Sequence, residues 1–296
     1  MKISDILRRV YDFFFSPYLY YANLVYDKPI YKSLHHYSEI KKLQLDEKIP
    51  IFLDRQYEIT SFFGVNNFYL FYYFMKNGYP QTSRFKKKLY SFFHDRTNDD
   101  KSLKKAYENS SFCYSVRLCL AYQKYSLISV YLDFILTSLK KPISSLKVLD
   151  YGCGISDIGL LFAKLGANVT IADLDNKKFD FAKWRYEKRK LPFTFIPIKE
   201  PSDIPILERS RYDLVIIIEV FEHVRDPFSL LKMLTVSLKK DGLLFDSMAG
   251  SFDRLVEGDH LAESIKIGNS KEYRSYFSAY YRQVLKKGGY LFKKIR

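Results

Sequence analysis

Short apolar runs alternate with amphipathic stretches from residue 147 to the end of the chain. The runs are rich in Val, Ile and Leu and read KVLDY, NVTIAD, FTFIPI, YDLVIII and GLLFDS. The stretches between them, such as DIGLLFAKLG and NKKFDFAKWRYEKRK, place apolar residues at helical spacing. This alternation is typical of βαβ units around a sheet that is buried on both faces. We therefore predict that residues 141–296 form an open α/β domain with a mostly parallel sheet and helices on both faces.

The first 140 residues have a different pattern of apolar and polar positions. Segments such as SDILRRVYDFFF and SRFKKKLYSFF are amphipathic and rich in Tyr and Phe, and prolines at 29, 50 and 80 break them. No strand-like alternation interrupts these segments, so a mainly helical region is predicted over residues 1–140. A short joint, KKPISS, precedes the first strand. We expect the helical region to cover the cleft of the α/β domain and to select the substrate.

One apolar stretch in this region, FYLFYYFM (Phe68 to Met75), raises the question of a membrane. It is far shorter than the roughly 20 residues that a membrane-spanning helix needs. The N-terminal aromatic run is interrupted by Asp12 and Pro17 and has no small-residue cleavage site after it, which argues against a signal peptide. We expect FYLFYYFM to be a buried aromatic helix, with a position on a membrane surface as the alternative.

Composition and charge narrow the possible kinds of protein and partner further. Three cysteines without a CxxC pair argue against a disulfide framework or a zinc knuckle and predict a reducing compartment, by default the cytosol. The formal net charge of +15 fits a nucleic-acid partner, but the excess is spread evenly over both halves and accompanies 26 Tyr and 25 Phe. No basic arm is present, so the charge alone does not predict nucleic-acid binding.

The stretch VLDYGCGISD, Val148 to Asp157, reads as a strand followed by a GxG turn that opens a helix. Gly152 and Gly154 allow a ligand to approach the backbone closely. The next strand ends on Asp173, 21 residues after Gly152, where a carboxylate can accept the hydroxyls of a ribose. Two acidic residues, Asp150 and Asp157, flank the turn and disfavour a phosphate. The pattern therefore predicts a cationic nucleoside as cofactor, and S-adenosylmethionine is such a molecule.

Four motifs in order make this half resemble the class I S-adenosylmethionine-dependent methyltransferases, in particular the ubiquinone-biosynthesis O-methyltransferase type with an ExxEH motif. They are LDYGCG, VTIADLD, YDLVIIIEVFEHVRDP and LKKDGLLFDS. The resemblance implies a Rossmann-like fold, S-adenosylmethionine as cofactor and methyl transfer as the activity. The residues that it implies as cofactor contacts are Asp150, Gly152, Cys153, Gly154, Asp173, Leu174 and Glu219.

The chain departs from the pattern of that family in several places. Ser156 stands where a third glycine is common, and it is small enough to allow close packing. After the third strand, only Glu200 and Asp203 are candidates to bind the adenine amine, and each is equally well explained as a solvated loop residue. The family generally ends on a further antiparallel strand after the stretch corresponding to GGYLFKKIR. We therefore expect a sheet that is one strand short.

The stretch EVFEHV places Glu219, Glu222 and His223 on one face if the chain is helical there. In some related enzymes this ExxEH pattern holds a divalent metal together with a later histidine, for which His260 is the candidate here. Two carboxylates and two imidazoles suit Mn²⁺, Fe²⁺ or Zn²⁺, and Mg²⁺ with added water. A metal bound by these four residues would lower the pKa of a substrate hydroxyl.

A metal-free interpretation of the same residues is equally open. His223, with an ordinary pKa near ~6.5, is the best candidate for a general base that takes the proton, assisted by Glu222, and His260 is the second. A purely structural role is the third interpretation, because acidic residues at a helix N-terminus are stabilised by the helix dipole.

Together these patterns predict an enzyme that transfers a methyl group from S-adenosylmethionine to a hydroxyl of a small molecule or glycan. Two alternatives stay open. One is methylation of RNA, and the other is a binding module that keeps the fold without catalysis.

Overall fold

The computed structural model describes residues 52–80, 82–93, 99–121, 131–132, 134–248, 252, 260–284 and 290–296. The expected helical region before residue 52 therefore lies outside the described residues. By their internal contacts, residues group into two compact units: Met1–Lys86 with Val116–Asp133, and Lys87–Ser115 with Phe134–Arg296. The boundary expected at residue 140 differs from this division, because Lys87–Ser115 packs with the sheet. The expected role of the N-terminal region in substrate selection stays a prediction.

The second unit contains a seven-stranded sheet. Its strands are β1 (Lys147–Tyr151), β2 (Asn168–Leu174), β3 (Thr194–Ile198), β4 (Tyr212–Ile217), β5 (Leu238–Asp246), β6 (Tyr281–Gln283) and β7 (Leu291–Lys294). They lie in the order β3-β2-β1-β4-β5-β7-β6. The first five are parallel, while β7 is antiparallel to both β5 and β6. The open, mostly parallel α/β fold predicted from the apolar runs is confirmed.

The expectation of a sheet one strand short is wrong. The residues Leu291–Lys294 form β7, which lies between β5 and β6 and pairs Leu244 with Phe292. Leu291 and Phe292 are buried, so this last segment has enough apolar surface to complete the sheet.

Helices lie before the first strand and between later strands. They are α1 (Phe52–Phe63), α2 (Asn67–Asn77), α3 (Ser83–Tyr90), α4 (Asp100–Ala121), α5 (Asp157–Lys164), α6 (Lys177–Lys188), α7 (Pro227–Ser237), α8 (Ala262–Gly268) and α9 (Lys271–Tyr280). The Asn176 side chain accepts N–H bonds at the start of α6, and Asp226 does the same for α7, whose first residue is proline. None of the helices in the described ranges is both long and apolar enough to cross a membrane.

A buried carboxylate ties three strands together at the amino edge of the sheet. Asp213, at the start of β4, accepts hydrogen bonds from the Lys147 N–H of β1 and from Lys239 of β5. Lys141 donates a third, at 2.6 Å. Burial by itself would raise the pKa of Asp213, but these donors together hold the pKa below its ordinary value. The amino edge is thus fixed electrostatically, opposite the edge where ligands of such sheets bind.

The aromatic stretch FYLFYYFM forms most of α2, but it is only partly buried. Leu70 and Phe74 are buried, as expected. The exposed fractions of four other side chains lie between 46% and 61%, namely Phe68, Tyr69, Tyr72 and Met75. The expectation of a buried aromatic helix is therefore wrong for one face of α2.

Candidate active site

The turn after β1 depends on residues in the left-handed region of backbone conformation. Gly152 and Gly154 have φ values of +62° and +63°, and Ser156 has +52°. A Cβ added to Gly152 would overlap the side chain of Val220, which follows β4. Glycine is therefore required at 152 both by the backbone angle and by the close approach of the neighbouring strand.

Asp150 shapes this turn from the end of β1. Its Oδ2 atom accepts hydrogen bonds from the Ser156 hydroxyl at 2.9 Å and from the Gly159 N–H at 3.1 Å. The hydroxyl of Tyr186 lies 3.1 Å from the same Ser156 oxygen. Ser156 thus does more than allow close packing, because it links the turn to the helix α6 that carries Tyr186.

Asp157 does not face a ligand. It is buried, and Nη1 of Arg185 donates to Asp157 Oδ1 at 2.8 Å and to the Ile155 carbonyl at 2.6 Å. The charge that was expected to disfavour a phosphate is thus compensated by a buried guanidinium. Asp157 therefore does not distinguish a cationic from an anionic nucleoside, and that step of the sequence argument is wrong.

Asp173 lies at the end of β2, beside the glycine turn. Its Oδ2 atom accepts the Gly154 N–H at 2.6 Å, and its Oδ1 atom accepts the Leu174 N–H at 2.7 Å. The Nζ atom of Lys178 lies 3.2 Å from Oδ1. An ionised carboxylate has about four acceptor positions, so roughly one is left for an added hydroxyl. The turn and the carboxylate are thus brought together as predicted, with Lys178 as a partner that the sequence did not indicate.

Cys153 and Leu174 contribute to the same corner through their backbones. The Cys153 N–H donates to the Ala172 carbonyl at 3.1 Å, and the thiol is buried. The Leu174 N–H is taken by Asp173, and its side chain is half-buried. Glu200 and Asp203, the weak adenine candidates, both have partners within the protein. Glu200 pairs with Lys104 at 2.9 Å, and Asp203 accepts the Glu200 N–H at 2.9 Å.

The first half of α4 covers the carboxyl edge of the sheet. Tyr107 and Tyr114 of α4 face the ammonium of Lys178, with ring centres 5.9 and 5.6 Å from Nζ. Leu103 and Ala106 pack in one apolar cluster with Phe93 and with Leu261, which follows β5.

Ion pairs hold the same helix to the loops after other strands. Lys104 of α4 binds Glu200 after β3. Asp100 of α4 binds Arg225 after β4, and Arg225 also binds Glu263. One helix therefore contacts residues that follow β2, β3, β4 and β5, so the first half of α4 covers the edge where a ligand would bind.

The EVFEHV stretch is not an α-helix. Glu219 is exposed and has a left-handed φ of +53°, and its N–H donates to Ser247 Oγ at 2.7 Å. A single 3-10 turn follows over Phe221–His223. The condition for a shared α-helical face is therefore not met, because Glu219 has a left-handed backbone and only a 3-10 turn follows it.

Glu222, His223 and His260 nevertheless come together. One donor atom from each lies within 4.8 Å of the others. The two imidazole rings are 5.0 Å apart and nearly perpendicular, and Nε2 of His223 lies 3.9 Å from Oε1 of Glu222. The Leu261 N–H donates to the Glu222 carbonyl at 2.9 Å, which fixes the loop that carries His260. Glu219 is outside this cluster, so the structure assembles three of the four predicted ligands.

Comparison with known proteins identifies the family. A family model described as a methyltransferase domain matches residues 122–291, more than half of the chain. The chain belongs to the class I methyltransferases that use S-adenosylmethionine.

Curated members of this family give more detail. A ubiquinone biosynthesis O-methyltransferase of Pelagibacter ubique is 32% identical over 113 residues, which cover 38% of this chain and 46% of that protein. A protein of the same name from Actinobacillus pleuropneumoniae is 33% identical over 104 residues, covering 34% and 44%. The chain thus spans less than half the length of these relatives.

Among solved structures of the fold, the PH0226 protein from Pyrococcus horikoshii OT3 is 17% identical and covers 58% of this chain and 90% of its own, with a TM-score of 0.40. The fold assignment of this methyltransferase rests on the strand order and not on that likeness.

The three-residue cluster has donor chemistry that fits a transition metal. One carboxylate and two imidazoles suit Mn²⁺, Fe²⁺ or Zn²⁺ better than Mg²⁺, which prefers oxygen ligands. The carboxylate of Glu222 is fully buried, while both histidines are half-buried. The same set also suits proton transfer, because an imidazole can accept a proton at neutral pH.

Tyr273 of α9 is a further buried group that the sequence did not indicate. Its hydroxyl has no hydrogen-bond partner among the described residues. Burial raises the pKa of Tyr273, and the negative charges of Asp246 and Glu222 raise it further. The phenol therefore stays protonated beside the Glu222 end of the cluster. No residue spacing around Tyr273 resembles a known motif, so a sequence pattern could not have identified it.

Proposed function

We propose that this protein transfers the methyl group of S-adenosylmethionine to a hydroxyl oxygen of a small molecule or glycan. The relatives named as ubiquinone biosynthesis O-methyltransferases support oxygen as the methylated atom. Glu222, His223 and His260 are the residues to which we assign the reaction of the acceptor.

One contact carries this proposal. Val220 packs against Gly152 in the glycine turn after β1. Because Val220 directly precedes the 3-10 turn Phe221–His223, these two parts of the site are in contact. Strands β1 and β4 are neighbours and pair Tyr151 with Ile217. A nucleoside on the glycine turn would therefore have its reactive end close to His223.

The proposed cofactor contacts fall into two groups. Asp173 binds a ribose hydroxyl beside its three present partners, while Gly152 and Gly154 let the nucleoside approach the backbone. The others we propose are Asp150, Cys153, Leu174 and Glu219. Of these, Asp150 acts by holding the turn in shape, because its Oδ2 atom already accepts two hydrogen bonds from the turn and the start of α5.

The reaction breaks the bond between the sulfonium sulfur and its methyl carbon and forms a bond between that carbon and the acceptor oxygen. The acceptor proton passes to an imidazole, for which His223 is the first choice and His260 the second. The products are S-adenosylhomocysteine and a methyl ether. Orientation and exclusion of water supply most of the rate in such a displacement, and the α4 segment that covers the sheet edge provides both.

A metal-assisted version of the same reaction is favoured by the 4.8 Å grouping of donor atoms. Glu222, His223 and His260 would hold the ion. When bound, a divalent metal would lower the pKa of the acceptor hydroxyl. The three side chains would then serve as ligands, and water or buffer would take the proton.

The test measures S-adenosylhomocysteine formation with a panel of catechols, quinols and monosaccharides. We expect turnover with at least one hydroxyl acceptor and a 10²- to 10⁴-fold loss in His223→Ala, the usual size of a general acid–base contribution. Glu272→Gln, a change at an exposed residue of α9, is the matched control. Loss of activity with EDTA, restored by Mn²⁺ or Zn²⁺, would select the metal-assisted version, whereas activity that survives EDTA would select the base.

Two other outcomes would replace the proposal. Turnover on RNA alone, with an affinity that falls steeply as salt increases, would indicate an RNA methyltransferase. Calorimetry that detects no binding of S-adenosylmethionine to the folded protein would indicate a non-catalytic module.

A further inference from the structure

Helix α2 exposes an apolar face that the proposed methyl transfer does not use. Phe68, Tyr72 and Met75 recur at helical spacing and have exposed fractions of 61%, 58% and 61%. Tyr69 adds a fourth large side chain, 46% exposed. Isolated exposed apolar residues are ordinary, but four on one face of a three-turn helix form a contiguous patch that indicates binding.

The opposite face of α2 is firmly packed within its own unit. Leu70 and Phe74 are buried, and the ring of Tyr73 makes an edge contact with the ring of Phe85 on α3, 6.0 Å away. The Asn66 side chain accepts the Tyr69 N–H and caps the helix. The exposed rings are thus presented by an ordered helix with a packed interior and not by a frayed end.

The sequence around this apolar face carries basic residues and no acidic ones. Between Ile59 and His94 the chain contains no Asp or Glu, and the basic residues in that interval are Lys76, Arg84, Lys86, Lys87 and Lys88. Lys76 and Arg84 are exposed. Arg84 lies beside Gly78, the residue that ends α2. Two exposed basic residues therefore lie at the C-terminal end of α2.

We propose that this face of α2 binds the surface of a membrane that contains anionic lipids. Tyr and Phe side chains are favoured at the boundary between headgroups and acyl chains, and nearby Lys and Arg are attracted to anionic headgroups. The interval around α2 has basic residues and no carboxylates, which favours an anionic lipid surface over a protein surface of mixed charge. The helix is far too short to span the bilayer, so binding is parallel to the surface.

The test is sedimentation of the full-length protein with sucrose-loaded vesicles. The two compositions are phosphatidylcholine alone and phosphatidylcholine with phosphatidylglycerol. We expect the wild-type protein to partition at least tenfold more strongly onto the anionic vesicles and less strongly at high salt. The triple variant F68S/Y72S/M75S should lose at least tenfold in partitioning. The control I206S/V236S, which removes two exposed apolar side chains from the other unit, should bind as wild type.

A second variant separates lipid binding from loss of structure. K76Q/R84Q keeps the aromatic face, and at about fivefold per cation it should weaken binding to anionic vesicles roughly 25-fold. Circular dichroism and the melting temperature should be unchanged in both variants.

Three results would overturn the proposal: equal or absent binding to both vesicle types, undiminished binding by folded F68S/Y72S/M75S, or an equal loss in the control. A different result would assign this face to a second copy of the chain. In that case no vesicles are bound, light scattering without vesicles shows that the wild-type protein is a dimer, and F68S/Y72S/M75S is a monomer. S-adenosylmethionine binding is unaffected by any of these outcomes, so the proposed function is tested separately.

Discussion

The substitution Asp173→Asn tests the placement of the cofactor most directly. The carboxylate accepts two backbone N–H groups and lies 3.2 Å from Lys178. An amide of the same shape keeps one acceptor oxygen and loses the negative charge. The variant therefore retains most of the packing while it removes the group assigned to the ribose.

The expected size of the effect follows from these contacts. A hydrogen bond to a charged group contributes about 1.5–3 kcal/mol, which corresponds to a roughly 10- to 150-fold weaker dissociation constant for S-adenosylmethionine. The amide also leaves either the Gly154 N–H or the Leu174 N–H without its acceptor. That loss costs about 1–3 kcal/mol of folding stability, since both groups are poorly accessible to water.

Calorimetric titration at 15 °C gives the affinity, and urea unfolding without ligand gives the stability. Asp175→Asn is the matched control, because Asp175 is two residues away but exposed. We expect Asp175→Asn to bind within twofold of wild type. An Asp173→Asn protein that is folded and binds with unchanged affinity would refute the assignment of the ribose to this carboxylate.

Three further changes test other parts of the fold. Gly152→Ala should cost about 2–5 kcal/mol of stability and abolish cofactor binding, because the positive φ and the nearby Val220 side chain both oppose a Cβ atom. Gly64 has a similar φ but open space around it, so the control Gly64→Ala should cost only about 1 kcal/mol by urea unfolding. Asp213 has a lowered pKa, so its contribution is complete above the ordinary value of 3.8 and is lost as the pH falls through the lower folded value. Asp213→Asn should therefore destabilise the protein by about 2 kcal/mol at pH 7 and flatten the acid side of its stability profile, and a profile parallel to wild type would contradict this reasoning. Arg185→Met leaves a buried carboxylate uncompensated and should cost about 3–5 kcal/mol, whereas the exposed Lys188→Met on the same helix should change stability by under 0.5 kcal/mol.

The sheet was predictable because its signals are local. Each parallel strand is a short apolar run, and the turn at Gly152 and Gly154 has a backbone requirement that few residues other than glycine meet. The offset from Gly152 to Asp173 reflects one helix and one strand, so it also follows from sequence spacing. The last strand was missed because LFKK alone does not distinguish an edge segment from a strand paired on both sides.

The site was less predictable because its partners come from distant parts of the chain. Arg185 of α6 binds Asp157 at the start of α5, and the sequence around neither residue indicates that pairing. Glu219 lies just after β4, but its left-handed backbone keeps it out of the cluster of Glu222, His223 and His260, and a residue spacing does not reveal such a backbone angle. His260 was placed correctly by the resemblance, although a long stretch of chain separates it from His223.

Chain connectivity constrains how this protein can be dissected. The backbone crosses from one compact unit to the other three times, near residues 86, 115 and 133. A fragment cut at the first strand would lack Tyr107, Tyr114 and Leu103, and the apolar surface beneath them would face water. Neither unit corresponds to one continuous stretch of the gene. Exchanging one unit for that of another protein would therefore require grafting two separate segments, and a single crossover point does not exist.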